Sequence, residues 1–233
     1  MILGPVIFLL TKIWTRGERP DILPNMFTNE DHLIDAAIKN DPIAWDYLLT
    51  QYGGKMYGTA LRLLKNEKDA EDAVQEVWIM VSQKLSAFRR DSKFATWLYR
   101  IMTNRCLEKI RSSKKAREST DSIDALMPDF NEDGHYKKQF TDWSHQPDRV
   151  TDQKILAREI QAALNSLPEE YRQVIVLRDV EGFSGDEVAQ MLGLNESTMK
   201  TKLHRGRMAL REKLERKYGK KPWYSFLSLR SLL

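Results

Sequence analysis

The chain has 233 residues, of which 42% are hydrophobic and 30% charged, and a formal net charge of +4. This is the composition of a soluble, globular protein with room for one large domain or two small ones. The single cysteine, Cys106, excludes internal disulfides and fits a reducing compartment, and we interpret it as a small buried apolar residue. The four histidines have no spacing to Cys106 or to acids that indicates a metal site, so we predict neither metal nor cofactor.

The first 27 residues are interpreted as an N-terminal extension. The apolar run Met1–Trp14 is shorter than the roughly 20 residues needed to span a bilayer. It lacks both a basic start and a small-residue cleavage site, which weakens its interpretation as a signal peptide. Met26 stands directly before a helix-start sequence, which favours synthesis beginning there. The choice between Met1 and Met26 stays open.

Two helices are predicted at the start of a first domain, residues 28–117. Thr28 is the predicted N-cap of the first helix, with Asp31 three residues on. Asp41 caps the second, and Pro42 occupies the first turn, where its missing N–H costs nothing. The pair Gly53-Gly54 predicts a bend. The predicted apolar faces comprise Leu33, Ile34, Ala37 and Ile38 in the first helix, and Trp45, Leu48, Leu49, Tyr52, Met56, Leu61 and Leu64 in the second.

The third helix, opened by Asn66, has the clearest amphipathic pattern of the chain. Its apolar face contains Ala70, Ala73, Val74, Val77, Trp78, Val81, Leu85 and Phe88, and its polar face contains Glu71, Asp72, Gln75, Glu76 and Gln83. A polar link, residues 89–93, leads to a fourth helix. Its predicted inner residues are Phe94, Trp97, Leu98, Ile101, Met102, Leu107 and Ile110, and its predicted outer residues are Arg100, Thr103, Asn104, Arg105, Lys109 and Arg111.

A linker and a second helical domain follow. Residues 118–152 lack periodicity and contain nine acids against three basic residues, a local charge of −6. We interpret them as an acidic, flexible linker. Helical pattern returns over residues 153–216, and residues 217–233 form an aromatic tail. Because neither strand alternation nor an internal repeat occurs, the predicted fold class is all-α: two helical domains joined by a flexible linker.

The second domain contains the spacing of a helix-turn-helix that starts at Gly185. Ala189 is small where two helices must cross closely, and Gly193 suits the left-handed residue of the turn. Asn195 caps the second helix, whose predicted inner residues are Met199 and Leu203. The exposed face then presents Thr198, Lys200, Thr201, Lys202, His204 and Arg205 to the major groove, with Arg207 and Arg211 placed for phosphates. An ordinary helical hairpin with a basic solvent face is the alternative.

Two sets of residues resemble a known family. The first set comprises Asp69–Trp78 (DAEDAVQEVW), Phe88-Arg89 and Phe94–Ile101 (FATWLYRI), and it resembles the bacterial sigma factors of the extracytoplasmic-function (ECF) group. The second comprises Leu167–Arg172 (LPEEYR), Gly182-Phe183-Ser184 and Arg205-Gly206-Arg207, and it resembles the second domain of the same group. The two resemblances cover residues 28–117 and 153–216 in the order and spacing of the family.

The resemblance implies three functional surfaces. The third helix would dock on the clamp coiled coil of RNA polymerase through Asp72, Gln75, Glu76, Ile79 and Gln83. The link and the fourth helix would recognise and open the minus-ten element through Arg89, Arg90, Ser92, Lys93, Trp97, Arg100, Asn104 and Arg105. The recognition helix would read the minus-thirty-five element through Thr198, Lys200, Thr201, Lys202, His204, Arg205 and Arg207.

Three positions weaken these assignments. Trp97 lies at helical spacing, which is more typical of a core residue than of a stacking platform. Family members often carry arginine at the positions of Lys200 and Lys202, and lysine lacks the bidentate fork that suits guanine.

The resemblance also implies partners. They are RNA polymerase core, through its clamp coiled coil and flap, promoter DNA and an anti-sigma factor, with no small-molecule substrate. We expect a monomeric, cytoplasmic, non-enzymatic protein, with sequestration at the inner membrane by the anti-sigma factor as one form of control. The linker would either mimic nucleic acid inside the polymerase or act as a plain spacer.

Two rival functions stay in view. A helix-turn-helix regulator that works without polymerase would explain the C-terminal domain alone. An enzyme of nucleic acids would need carboxylates clustered around a metal or in a cleft, whereas the acids here lie on outer helix faces or in the linker.

Overall fold

The computed structural model describes residues 29–117 and 151–218, and the side chains of residues 29–113 and 157–216. The chain divides into two compact units between Lys114 and Lys115. The first contains α1 (Glu30–Ile38), α2 (Pro42–Leu64), α3 (Glu67–Lys84), a 3-10 turn (Leu85–Ala87) and α4 (Phe94–Arg117). The second contains α5 (Thr151–Asn165), α6 (Glu169–Ile175) with a π-helical turn (Val176–Val180), α7 (Gly185–Leu192) and α8 (Glu196–Tyr218).

The described ranges are all-helical, which confirms the predicted fold class. The N-terminal extension, the C-terminal tail from residue 219 and the linker up to residue 150 lie outside them. Residues 151 and 152, assigned to the linker from sequence, already belong to α5.

Side-chain caps fix where the helices of the first unit begin. Asp41 accepts a hydrogen bond from the backbone N–H of Ile43 at 2.9 Å, and Asn66 accepts one from Asp69 at 3.0 Å, which confirms both predicted caps. The prediction of Thr28 is wrong. Asn29 caps α1 instead, because its side-chain oxygen reaches the N–H of Asp31 at 2.9 Å.

The core of the first unit forms around α3, whose apolar face is buried as predicted up to Leu85, whereas Phe88 lies beyond the helix and is half-buried. Trp78 is fully buried, together with Ala70, Ala73, Val74, Val77 and Val81. The indole N–H of Trp45 donates to the carbonyl of Ala37 at 3.0 Å and so ties α2 to α1.

Three details of the pattern in α2 and α4 were predicted incorrectly. The helix α2 continues through Gly53 and Gly54 without interruption. Its last buried residues are Thr59, Ala60 and Leu63, because these continue the three- and four-residue steps from Met56, whereas Leu61 and Leu64 lie beside that face and are half-buried. Thr103, predicted on the outer face of α4, is fully buried, because it shares a stripe with Tyr99, Cys106 and Ile110.

Cys106 is a buried free thiol, as predicted. Burial raises the pKa of this thiol to about 12, while Lys109 and Arg105 oppose the shift. The reactive thiolate is therefore scarce at neutral pH.

The second unit brings α8 against α6 through a glycine. A β-carbon on Gly206 would lie 2.9 Å from Cδ1 of Ile175 and 3.1 Å from Cβ of Tyr171. Both of these partners are buried. The two helices can therefore approach this closely because residue 206 has no side chain.

Capping also fixes the helix-turn-helix. Ser184 and Glu187 form a reciprocal capping box at the start of α7. Gly193 adopts the left-handed φ of +64°, and the N–H of Leu194 donates back to the carbonyl of Ala189 at 2.9 Å. Asn195 accepts from the N–H of Thr198 at 2.7 Å, which confirms its predicted role.

Ion pairs add to the apolar contact between α8 and the rest of its unit. Arg207 donates from Nε and Nη2 to the two oxygens of Asp179, at 2.9 and 2.6 Å. The Asp179 side chain is only 8% exposed, and it lies in the π-helical turn. Its hydrogen bonds raise the pKa of Arg207. Lys202 pairs with Glu170, and its Nζ lies 5.9 Å from the ring centre of Tyr171.

Substituting Gly206→Ala should destabilise the second unit, because the β-carbon would push Tyr171 and Ile175 of α6 away from α8. We expect a loss of about 1–3 kcal/mol in the free energy of opening. Amide hydrogen exchange in α6 and α8 measures it locally. Gly54→Ala is the control, since a β-carbon there meets nothing within 4 Å, and it should stabilise α2 by about 0.5–1 kcal/mol. Unchanged protection in α6 and α8 would contradict the close-packing argument.

Substituting Arg207→Ala should leave the buried carboxylate of Asp179 without its bidentate partner. We expect a loss of about 1–3 kcal/mol in the unfolding free energy of the second unit at pH 7. Urea denaturation monitored by hydrogen exchange in α8 measures it. The double variant Arg207→Ala/Asp179→Ala should recover most of the loss, since no charge is then buried alone. A double variant no more stable than Arg207→Ala would argue against this role of the pair.

Candidate nucleic-acid interface

The outer face of α8 carries the residues predicted to read DNA. Met199 and Leu203 are buried, which confirms the predicted inner face. Lys200, Thr201 and His204 are exposed on the opposite side, and Thr198 and Arg205 are half-buried beside them. Lys200 pairs with Glu196 at 2.5 Å, one turn earlier on the surface. The hydrogen bond from Lys200 lowers the pKa of Glu196, and that of Lys200 is raised in turn.

Two of the seven predicted recognition residues turn toward their own unit. Lys202 pairs with Glu170, and Arg207 pairs with Asp179. Their side chains are 22% and 31% exposed, against 68% for Lys200. The basic residues of α8 therefore fall into two groups. Lys202 and Arg207 secure the helix to its own unit, whereas Lys200 and Arg205 lie with Thr201 and His204 on an outer row.

The loop of residues 88–93 carries a second cluster of basic residues. Arg89, Arg90, Ser92 and Lys93 are all exposed. On α4 the predicted residues Arg100 and Asn104 are exposed, whereas Trp97 and Arg105 are half-buried. Arg89 pairs with Asp91 within the loop at 2.5 Å.

Trp97 belongs to an aromatic cluster at the edge of the first unit, formed by Tyr52, Phe88, Phe94 and Trp97. Its ring centre lies 5.1 Å from that of Phe88 and 5.8 Å from that of Phe94. Phe94 is fully buried and meets Tyr52 edge-on at 5.5 Å. Trp97 is half-buried, so its ring combines both predicted environments: one part packs on the core and another is accessible.

Acids of α1 hold the 88–93 loop and the start of α4, and no local sequence pattern predicts these contacts. Arg90 pairs with Asp35 and lies 3.4 Å from an oxygen of Asp31. The backbone N–H of Phe94 donates to Glu30 at 3.0 Å. One signal was available: Lys93 precedes α4, and its side chain can only donate, so the first turn needs an acceptor from elsewhere.

The predicted polymerase-binding residues lie along one stripe of α3. Gln75 and Gln83 are exposed, and Asp72, Glu76 and Ile79 are half-buried. Glu76 is bonded to Arg105 of α4 and lies 3.5 Å from Lys109. The hydrogen bond from Arg105 lowers the pKa of Glu76, and the same bond raises that of Arg105. Two residues predicted for different surfaces therefore pair with each other.

Residues 29–117 and 151–218 contain neither a candidate metal site nor a candidate membrane span. No group of three or more His, Cys, Asp or Glu side chains in these ranges could hold a metal ion. None of the helices described there combines the length and the apolar character that crossing a bilayer demands.

Both units match known family models. Residues 48–116 match the model described as Sigma-70 region 2, and residues 157–210 match Sigma-70, region 4. The first range includes α3, the 88–93 loop and most of α4, and the second includes the helix-turn-helix.

Curated relatives and a solved structure agree with these matches. The chain is 34% identical over 171 residues to ECF RNA polymerase sigma factor SigE of Mycolicibacterium smegmatis, covering 73% of this chain and 62% of SigE, less than two thirds of that relative. A solved complex of the sigma factor RpoE with the anti-sigma factor NepR from Bartonella quintana shares the fold, with a TM-score of 0.53 and 22% identity over 74% of this chain and 98% of RpoE.

A second curated relative is covered almost completely. The chain is 34% identical over 176 residues to ECF RNA polymerase sigma factor SigW of Bacillus subtilis, and this match covers 76% of the chain and 91% of SigW. The chain therefore belongs to the ECF RNA polymerase sigma factors, transcription initiation factors that bind polymerase core and promoter DNA.

Proposed function

We propose that the two units divide promoter recognition between them. Residues 28–117 bind polymerase core and open the minus-ten element, residues 153–216 read the minus-thirty-five element, and residues 118–152 link the two. One observation carries the proposal: an exposed basic loop adjoins the half-exposed ring of Trp97 in the segment that matches Sigma-70 region 2.

The basic loop and Trp97 suit single-stranded DNA. An unstacked base can lie on the accessible part of the Trp97 ring, and such stacking contributes about 1–3 kcal/mol per base. Lys93 and Arg100 are exposed for backbone phosphates, and the amide of Asn104 can bond a base edge. Arg89 is exposed as well, but it would have to exchange its bond to Asp91 for a phosphate. Arg90 and Arg105 are engaged by acids of their own unit, so we give them a weaker direct contribution to DNA binding.

The stripe on α3 suits a helical, basic partner such as the polymerase clamp coiled coil. Ile79 supplies an apolar centre, and Asp72, Gln75 and Gln83 surround it with groups that accept hydrogen bonds. Glu76 lies on the same stripe, but its bond to Arg105 reduces its availability.

The outer row of α8 suits the major groove of the minus-thirty-five element. Lys200, Thr201, His204 and Arg205 would reach base edges, and Thr198 would reach the backbone near the start of the helix. Lys202 and Arg207 act mainly by holding α8 against α6.

We further propose that the chain has no catalytic activity of its own and that an anti-sigma factor restrains it. The support is the likeness to a sigma factor solved with the anti-sigma factor NepR. The free protein is proposed to be monomeric and cytoplasmic, with sequestration at the inner membrane where the restraining factor is membrane-anchored. The flap of the polymerase is the proposed contact of the second unit.

Substituting both Lys200→Ala and Arg205→Ala should abolish run-off transcription from the cognate promoter, because two outer-row cations of α8 are removed. Core binding, measured by fluorescence titration, should be unchanged. Lys213→Ala/Arg216→Ala removes the same charge later on the same helix and serves as the control. Transcription that persists in the first variant would refute the recognition-helix assignment.

Substituting Gln75→Arg should lower the affinity for polymerase core by about tenfold, because it sets a cation against a basic partner. Gln51→Arg is the matched control: the same change at an exposed residue of α2 should have no effect. A fluorescently labelled chain titrated with core enzyme gives both affinities. A regulator that works without polymerase would form no stoichiometric complex with core in either case.

A further inference from the structure

Three acids on α1 contact the 88–93 loop and the first residue of α4. Glu30 accepts from the backbone N–H of Phe94 at 3.0 Å, across 64 residues of sequence. Asp31 and Asp35, one helical turn apart, bind different nitrogens of the Arg90 guanidinium. We propose that Glu30, Asp31 and Asp35 are positioning residues for promoter opening, which hold this loop and the start of α4 ready for the single strand. This inference rests on the minus-ten function proposed for the first unit.

Glu30 takes the place of a missing local cap. The first turn of α4 exposes backbone N–H groups, and the ammonium group of Lys93 cannot accept from them. Phe94, whose N–H is bound by Glu30, is the buried residue on which Phe88 and Trp97 pack. The hydrogen bond from Phe94 to Glu30 therefore also fixes the surface on which the Trp97 ring packs.

Asp31 and Asp35 fix the other end of the loop. Arg90 has a φ of +62°, a left-handed conformation that is unfavourable for a residue with a β-carbon. Residues kept in such conformations require contacts that hold them, and they concentrate at functional sites. The two carboxylates supply such contacts by binding the Arg90 side chain from one helix face.

These contacts contribute little to the stability of the fold. The side chains of Arg90, Asp31 and Asp35 are 37%, 56% and 50% exposed, and ion pairs between exposed groups are weak. Their main effect is therefore local: they reduce the number of conformations of the loop that DNA must select. The acids also leave Arg89, Ser92 and Lys93 exposed, so they order the basic surface without covering it.

The test uses holoenzyme, the full chain with polymerase core, and two DNA probes. The first is a fork junction with a single-stranded minus-ten segment, and the second is a duplex with only the minus-thirty-five element. For Asp31→Asn/Asp35→Asn and for Glu30→Ala we expect affinity for the fork to fall about tenfold. Affinity for the duplex, core binding and the melting temperature should not change.

Two further variants separate positioning from a general structural effect. Glu30→Gln keeps an oxygen that accepts from Phe94, so it should restore most of the fork affinity lost in Glu30→Ala. In an Arg90→Ala background, Asp31→Asn/Asp35→Asn should cause no additional loss, because the carboxylates act through Arg90. Glu67→Gln, at an exposed acid in the first turn of α3, is the control and should have no effect.

Three results would overturn the inference: higher fork affinity after removal of the acids, an equal loss on both probes with a lower melting temperature, or a full additional loss in the Arg90→Ala background. The combined variant Arg89→Ala/Lys93→Ala/Trp97→Ala tests the underlying function separately. If it binds the fork as tightly as the unmodified chain, the proposed minus-ten surface is wrong, and the inference falls with it.

Discussion

A helix presents its side chains in a fixed direction only if its first turn is fixed, and the first turn has backbone N–H groups that need acceptors from outside the helix. This constraint governs every surface described above. Asn66 meets it for α3, Ser184 for α7 and Asn195 for α8, each with its own side chain three residues before the N–H it binds. For α4 the acceptor is Glu30, which belongs to another helix. The orientation of α4 thus depends on tertiary structure, whereas the starts of α3, α7 and α8 are encoded locally.

The same distinction explains how much the sequence could predict. The helices, the buried face of α3 and the helix-turn-helix depend on caps and on periodicity over a few residues, and these predictions are confirmed. The last turn of α2 and Thr103 were predicted incorrectly because neighbouring stripes of the helix differ little in polarity there. Residue type alone then favoured the stripe that is not fully buried. The contacts of Glu30, Glu76 and Asp179 join residues 28 to 64 positions apart, and no local pattern encodes them. The candidate site could therefore be placed on its helices, but its supporting contacts could not be predicted.

Counting charges alone misjudges the DNA-binding surface. Residues 196–221 have a local excess of +7, which suggests a uniformly basic helix. In the structure several of these cations pair with acids of the same unit: Lys202 with Glu170, Arg207 with Asp179, Arg211 with Glu215 and Arg216 with Glu212. The field that reaches DNA therefore depends on which cations are paired with acids of the same unit.

At Gly206, where α8 packs closely on α6, the helix α8 carries two kinds of residue on opposite sides. Gly206, Met199 and Leu203 lie on the side where α8 meets its own unit, and any change there alters packing. Lys200, Thr201 and His204 lie on the opposite side and are exposed. Because the buried packing and the ion pairs of Lys202 and Arg207 secure the helix, the outer row can acquire new side chains without disturbing the fold. Such a division lets a lineage of these factors diverge in the promoters it selects while each member keeps the same scaffold.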